Sequence, residues 1–165
     1  RALIFDVRNN PGGYVSELVA VLDHLLPGGD LFHSVYYDGR ESVETSDENC
    51  VELPMAVLVN SESYSAAEFF AAAIREYEAG FVAGAQTCGK GYFQVTYELN
   101  DGSAVGLSIG KYFTPKGVSL AEVGGLVPDL PVEVDDEMFS AIYAGTVEPM
   151  DDPQIVAALE RLLGK

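Results

Sequence analysis

Apolar residues along the chain fall into blocks with two different periods. Ala2 to Val7 is a short apolar strand pattern. Arg8-Asn9-Asn10-Pro11-Gly12-Gly13 follows, and such a run continues neither strand nor helix, so it predicts a turn with exposed backbone amides. From Tyr14 to Leu26 the apolar positions Val15, Leu18, Val19, Val21, Leu22, Leu25 and Leu26 have helical spacing, and Pro27-Gly28-Gly29 ends them. Strand, glycine-rich turn and helix in that order is the usual α/β unit. Leu31 to Tyr37 predicts a strand, Asp38-Gly39 a hairpin turn and Ser42 to Thr45 a weaker return strand.

Met55 to Val59 reads as a buried strand, and Ser65 to Tyr77 as a helix apolar nearly all round. Its alanines permit close backbone approach, which places it inside the domain. Phe81-Val82-Ala83 is a short strand. Phe93 to Leu99 and Ala104 to Phe113 alternate around the loop Asn100-Asp101-Gly102-Ser103, and Thr114 to Gly117 ends that hairpin. Val127 to Val132 is an extended, proline-marked segment. Short helices are expected near Met138 to Tyr143 and from Pro153 to Leu163, with Asp151-Asp152 at the positive end of the latter. No repeat or low-complexity tract interrupts this order, and no apolar run reaches the length of a membrane span.

At 165 residues and 48% apolar content, residues 1–165 suit a single domain with its own core. The chain opens on Arg1 directly into a strand pattern, so it reads as a core cut from a longer protein. A net charge of −17 argues against nucleic acid, whose phosphates would be repelled, and otherwise means solubility. Cys50 and Cys88 are too few for a disulfide scaffold. His24, in a helix pattern, and His33, in a strand pattern, have no metal-ligand spacing to either cysteine, so no metal and no cofactor is expected.

Three polar residues carry candidate chemistry. Ser65 opens Ser65-Ala66-Ala67-Glu68, a capping-box pattern, and capping is its simplest reading. The same position also lies where free helix amides and the helix dipole favour a developing negative charge. Lys90, one of four lysines, reads most simply as a surface residue. Its neighbours Gly89 and Gly91 also let the chain turn sharply and place the side chain inward, where burial would favour the neutral amine of a general base. Gln94 follows four residues on and could orient that amine. A rival pattern, Gly84 to Lys90, fits the front of a phosphate-binding loop. It lacks the hydroxyl residue after the lysine, and a strand pattern follows where a helix should begin.

Several stretches in order resemble the C-terminal processing peptidases, also called tail-specific proteases. They are Phe5 to Gly13, Val57 to Glu68, Thr87 to Gln94, Leu99 to Ser103, Lys111 to Gly117 and Gly125 to Asp129. The resemblance implies an α/β domain of the Clp protease/crotonase-like β-β-α spiral type. It implies Ser65 as nucleophile, Lys90 as general base and Gln94 as its orienting partner. The oxyanion amides would come from Ala66 and from Gly13, or else Gly12. The implied function is a serine endopeptidase that cuts near protein C-termini through an acyl-enzyme without a metal.

The same resemblance implies a bacterial cell-envelope, periplasmic location, where a Cys50–Cys88 disulfide would be chemically allowed. It also implies a preceding N-terminal segment and PDZ domain, through which a regulatory partner or a homo-oligomer could act. Tyr64, Ala67 and Cys88 depart from the family pattern, which has a small residue, a serine and an aromatic there. The alternative reading is a catalytically dormant peptide- or ligand-binding module of the same fold.

Overall fold

Two four-stranded sheets with a helix between them organise the computed structural model, which describes residues 1–164. The parallel sheet contains β1 (Leu3–Asp6), β4 (Met55–Val59), β5 (Gly80–Gly84) and β8 (Leu130–Pro131), numbered in chain order and adjacent in that order. The antiparallel sheet contains β2 (Gly29–Tyr36), β3 (Glu41–Ser46), β6 (Tyr92–Glu98) and β7 (Ala104–Phe113), arranged β3-β2-β7-β6. Helices α1 (Val15–Leu25) and α2 (Ala66–Glu76) cover one face of the parallel sheet and α5 (Pro153–Leu162) the other. The short helices α3 (Leu120–Val123) and α4 (Asp136–Tyr143) lie between β7 and α5 in sequence.

β4 shows why the sheet is parallel and central. All five of its residues are buried, as a strand covered on both faces requires. Met55, Val57 and Val59 face the main core with α2, while Ala56 and Leu58 face Ala158 of α5. Helix α2 is apolar nearly all round because it is enclosed. Phe69 meets Phe32 and Tyr112 of the antiparallel sheet at 4.8 and 5.9 Å, and Phe70 meets Phe5 of β1 at 5.2 Å. Fully burying Phe69 contributes roughly 2–3 kcal/mol.

The elements agree with the pattern-based expectations to within a few residues at their ends. Of the Asp151-Asp152 pair, Asp152 is the cap of α5, accepting from the amides of Gln154 and Ile155 at 2.9 and 3.2 Å. The proline-marked segment yields only the two-residue β8. The single turn α3, closed by Gly124 at φ 74°, has no counterpart in the sequence reading. Both cysteines are free thiols.

Candidate active site

The segment that leaves β4 is tied to the turn that leaves β1. Asn60 accepts from the Asn9 amide at 3.0 Å and donates to the Asn9 side chain at 2.8 Å. The Ser63 hydroxyl donates to the Val7 carbonyl at 2.8 Å, and the Tyr64 amide to the Asn10 carbonyl at 3.0 Å. These bonds bring the chain into α2 through Ser65, whose backbone sits at φ 58°, ψ −116°. That conformation is rare for a residue with a side chain and is kept only where its surroundings impose it. Ser65 and Glu68 form the capping box that the sequence predicts, with the Ser65 amide donating to the Glu68 carboxylate at 2.8 Å.

Two amides of residues that share a cleft with this serine have no hydrogen-bond partner among the described residues. Ala66, the first residue of α2, has the free N–H of a helix start. The Gly12 amide is taken by Asn10 Oδ1 at 2.8 Å, whereas that of Gly13 makes no hydrogen bond among the described residues. Gly12 instead supplies close approach. At φ 90°, a Cβ there would lie 2.7 Å from the Tyr64 carbonyl oxygen, 2.8 Å from the Ala66 nitrogen and 2.9 Å from the Ser65 Cβ. Only a glycine lets the two loops touch in this way.

Lys90 is brought in by a carboxylate whose reach the sequence reading missed. Glu68 is fully buried, and its two oxygens collect four donors. Oε1 accepts from the Thr87 hydroxyl at 2.6 Å and the Gly89 amide at 2.5 Å. Oε2 accepts from the Ser65 amide at 2.8 Å and the Lys90 amide at 3.0 Å. The capping-box pattern pointed to the Ser65 contact, but nothing in local spacing pointed to partners some twenty residues on. Thr87 in turn accepts from the Leu126 amide at 2.8 Å. This arrangement disposes of the phosphate-loop reading: two loop amides that would hold a phosphate already hold a carboxylate, and β6 follows Lys90 with no helix between.

Beyond the backbone, two tyrosines frame Lys90. Its Nζ lies over the Tyr64 ring, 4.8 Å from the centroid. The buried Tyr112 hydroxyl donates to the Lys90 carbonyl, and Tyr112 lines the same cleft as Ser65. Burial pushes the Tyr112 phenol well above its ordinary range. Among the described residues no hydrogen bond joins the Lys90 amine to Ser65 or Gln94. The Gln94 amide reaches the Ser108 hydroxyl at 3.5 Å instead, beside a register shift in the β6–β7 pairing where Ile109 of β7 is the extra residue. Even so, Ser65, Ala66, Gly13, Lys90 and Gln94 all line one cleft of about 390 Å³, floored by Phe32, Phe69 and Tyr112. An apolar cleft of about 330 Å³ adjoins it across Gly13 and Ala66.

The fold agrees with the comparisons to known proteins. Residues 1–132 match the model of Peptidase family S41, and the chain belongs to that family. It is 36% identical over 145 residues to the chloroplastic C-terminal processing peptidase of Tetradesmus obliquus, covering 87% of this chain and 31% of that protein. It is 33% identical over 162 residues to the carboxyl-terminal-processing protease of a Synechocystis strain, covering 98% and 36% respectively.

Among solved structures, the photosystem II D1 C-terminal processing protease aligns at a TM-score of 0.72 with 35% identity, covering 80% of this chain and 34% of that one. Mature CPAF, at 17% identity, covers 99% of this chain and 44% of its own, with a TM-score of 0.68, and shares the fold. The architecture is therefore the Clp protease/crotonase-like α/β core. The chain spans about a third of the length of the curated relatives named here. Because chloroplastic and bacterial proteins both appear among them, membership alone does not place the chain in a bacterial envelope. No helix among the described residues is long and apolar enough to cross a membrane.

Proposed function

We propose that this chain carries the reaction centre of a serine endopeptidase that trims protein C-terminal tails. The observation behind the reading is the strained Ser65 at the start of α2, in one cleft with Lys90 and with the unpartnered amides of Ala66 and Gly13. In the proposed reaction Lys90, as the neutral amine, takes the proton from the Ser65 hydroxyl as its oxygen attacks the peptide carbonyl. The carbonyl oxygen becomes an oxyanion held by the amides of Ala66 and Gly13. Lys90 then gives the proton to the leaving nitrogen, the C–N bond breaks, and an ester on Ser65 remains. Water, deprotonated by Lys90, attacks that ester and frees Ser65.

For the first step the lysine amine leaves the Tyr64 ring and turns to Ser65, where Gln94 orients it. A bacterial or organellar compartment outside the cytoplasm would suit a tail-trimming role. The position of the amine over Tyr64 also favours a second reading, a dormant binding module of the same fold.

A fluorophosphonate probe separates the two readings. Labelling that is lost in Ser65→Ala and in Lys90→Arg, with both variants folded by circular dichroism, is the expected result. Absence of labelling in the folded wild-type protein would overturn the peptidase reading.

A further inference from the structure

The antiparallel sheet ends on β6, one of its two edges, and that edge runs into the reaction cleft. Which backbone groups of β6 are free follows from its pairing. The Leu99 amide donates to the Ser103 carbonyl at 2.8 Å, so that rung is hydrogen-bonded. Rungs alternate in an antiparallel ladder, so Tyr97 opposite Val105 and Val95 opposite Leu107 are also turned toward β7. At the other end the Tyr112 amide donates to the Gly91 carbonyl at 3.1 Å, which turns Gly91 and Phe93 the same way. The N–H and C=O groups of Tyr92, Gln94, Thr96 and Glu98 therefore point off the sheet. They repeat about every 7 Å, the two-residue repeat of an extended peptide.

We infer that β6 is the strand on which the substrate backbone is read: an extended peptide adds to its free edge, with apolar side chains at alternate positions above Val95 and Tyr97. This rests on the Ser65 peptidase reading. Tyr92 and Gln94 line the same cleft as Ser65, so the added strand begins beside the scissile bond. Glu98 lies about 13 Å beyond Gln94, which sets the reach at roughly four further substrate residues. One face of the β6–β7 ribbon is an exposed apolar stripe of Val95, Tyr97, Leu99, Val105 and Leu107. The other face carries Gln94, Thr96 and Glu98 opposite Ser108, Gly106 and Ala104. An added strand would cover the stripe with every second side chain.

The two sheet edges differ in charge, with two carboxylates on β3 and one on β6. Natural edges are commonly blunted by charge, proline or irregularity. β3, the opposite edge, carries Glu41 and Glu44 and faces a register shift in β2. β6 has neither proline nor lysine; its one charge, Glu98, stands at the end away from the cleft, its pairing with β7 shifts register only at the Phe93/Gln94 step, and Thr96 between them is exposed. Its backbone is thus left open where a peptide enters the cleft.

The test uses a fluorogenic peptide that the protein cleaves, with each backbone amide near the scissile bond N-methylated in turn. On one side of that bond the kcat/KM should fall about tenfold at every second amide and little between, the cost of one unmade backbone hydrogen bond. On the protein, Thr96→Pro removes an outward amide that the ladder does not use, a change that edge strands tolerate. It should lower kcat/KM about tenfold while leaving fluorophosphonate labelling of Ser65 unchanged. Losses without a two-residue period, or uniform tolerance, would overturn the inference while Ser65 labelling stands. No labelling and no cleavage would remove the peptidase reading and this inference with it. Should Thr96→Pro not fold, the peptide series on the wild-type protein still decides.

Discussion

Glu68→Gln tests whether one carboxylate holds the serine and lysine loops together. Four donors converge on the two oxygens, two on each, at 2.5 to 3.0 Å. A carboxamide keeps one accepting oxygen and turns an NH2 toward two donors that cannot receive it well. Two charge-assisted bonds are therefore lost, each worth about 1.5–3 kcal/mol. Ser65, Gly89 and Lys90 are only half-buried, so water recovers part of that, and a net loss of about 3 kcal/mol is expected. In a domain of this size that lowers Tm by roughly 6–12 °C.

The effect on reactivity should exceed the effect on stability. Moving the Ser65 and Lys90 backbones apart by about 1 Å costs roughly a hundredfold in rate. The assay is the second-order rate of fluorophosphonate labelling, read well below the lowered Tm, with Ala158→Gly in α5 as a destabilised control remote from the cleft. Ala158→Gly should keep its labelling rate. A folded Glu68→Gln protein that labels at the wild-type rate would refute the reasoning.

Outcomes at Gly12, Gly13 and Tyr112 can each be checked by a single substitution. Gly12→Ala should nearly abolish Ser65 labelling, because the new Cβ would press on the Tyr64 carbonyl and the Ala66 nitrogen, whereas Gly13→Ala, with nothing within 4 Å, should keep the fold by circular dichroism. Tyr112→Phe should move the onset of alkaline unfolding to higher pH, read from denaturant midpoints between about pH 8 and 12. The buried phenol holds its proton above the ordinary value of 10.0, so the unfolded chain releases that proton first. Stability is therefore intact below about pH 10 and falls as pH rises beyond it. An unchanged pH profile in Tyr112→Phe would count against burial as the cause.

The elements were legible because their patterns are local. β4 is continuously apolar and α2 apolar nearly all round, and both ended in the core. The Arg8 to Gly13 turn was legible from its composition. Its division of labour was not, since Gly12 and Gly13 differ only in what stands opposite them. Glu68 was visible as a capping residue but not as the anchor of the lysine loop. A capping box is a four-residue pattern, whereas Thr87, Gly89 and Lys90 reach that carboxylate only through the tertiary fold. The orienting contact expected of Gln94 depends on a side-chain rotamer beside a register shift, which no spacing encodes.

The cleft lies at the seam between the two sheets, and this explains how Ser65 and Lys90 can share a carboxylate anchor without a bond between their side chains. Ser65 follows a strand of the parallel sheet, while Lys90 leads into a strand of the antiparallel one. Glu68, from the helix between them, holds the backbones of both. What separates the amine from the hydroxyl is then the rotamer of one long side chain. A contact with the Tyr64 face, worth about 0.5–1 kcal/mol when exposed, opposes that rotation only weakly. On the proposed reading, the amine turns from the ring to the hydroxyl once a peptide occupies the cleft that Lys90 and Ser65 both line.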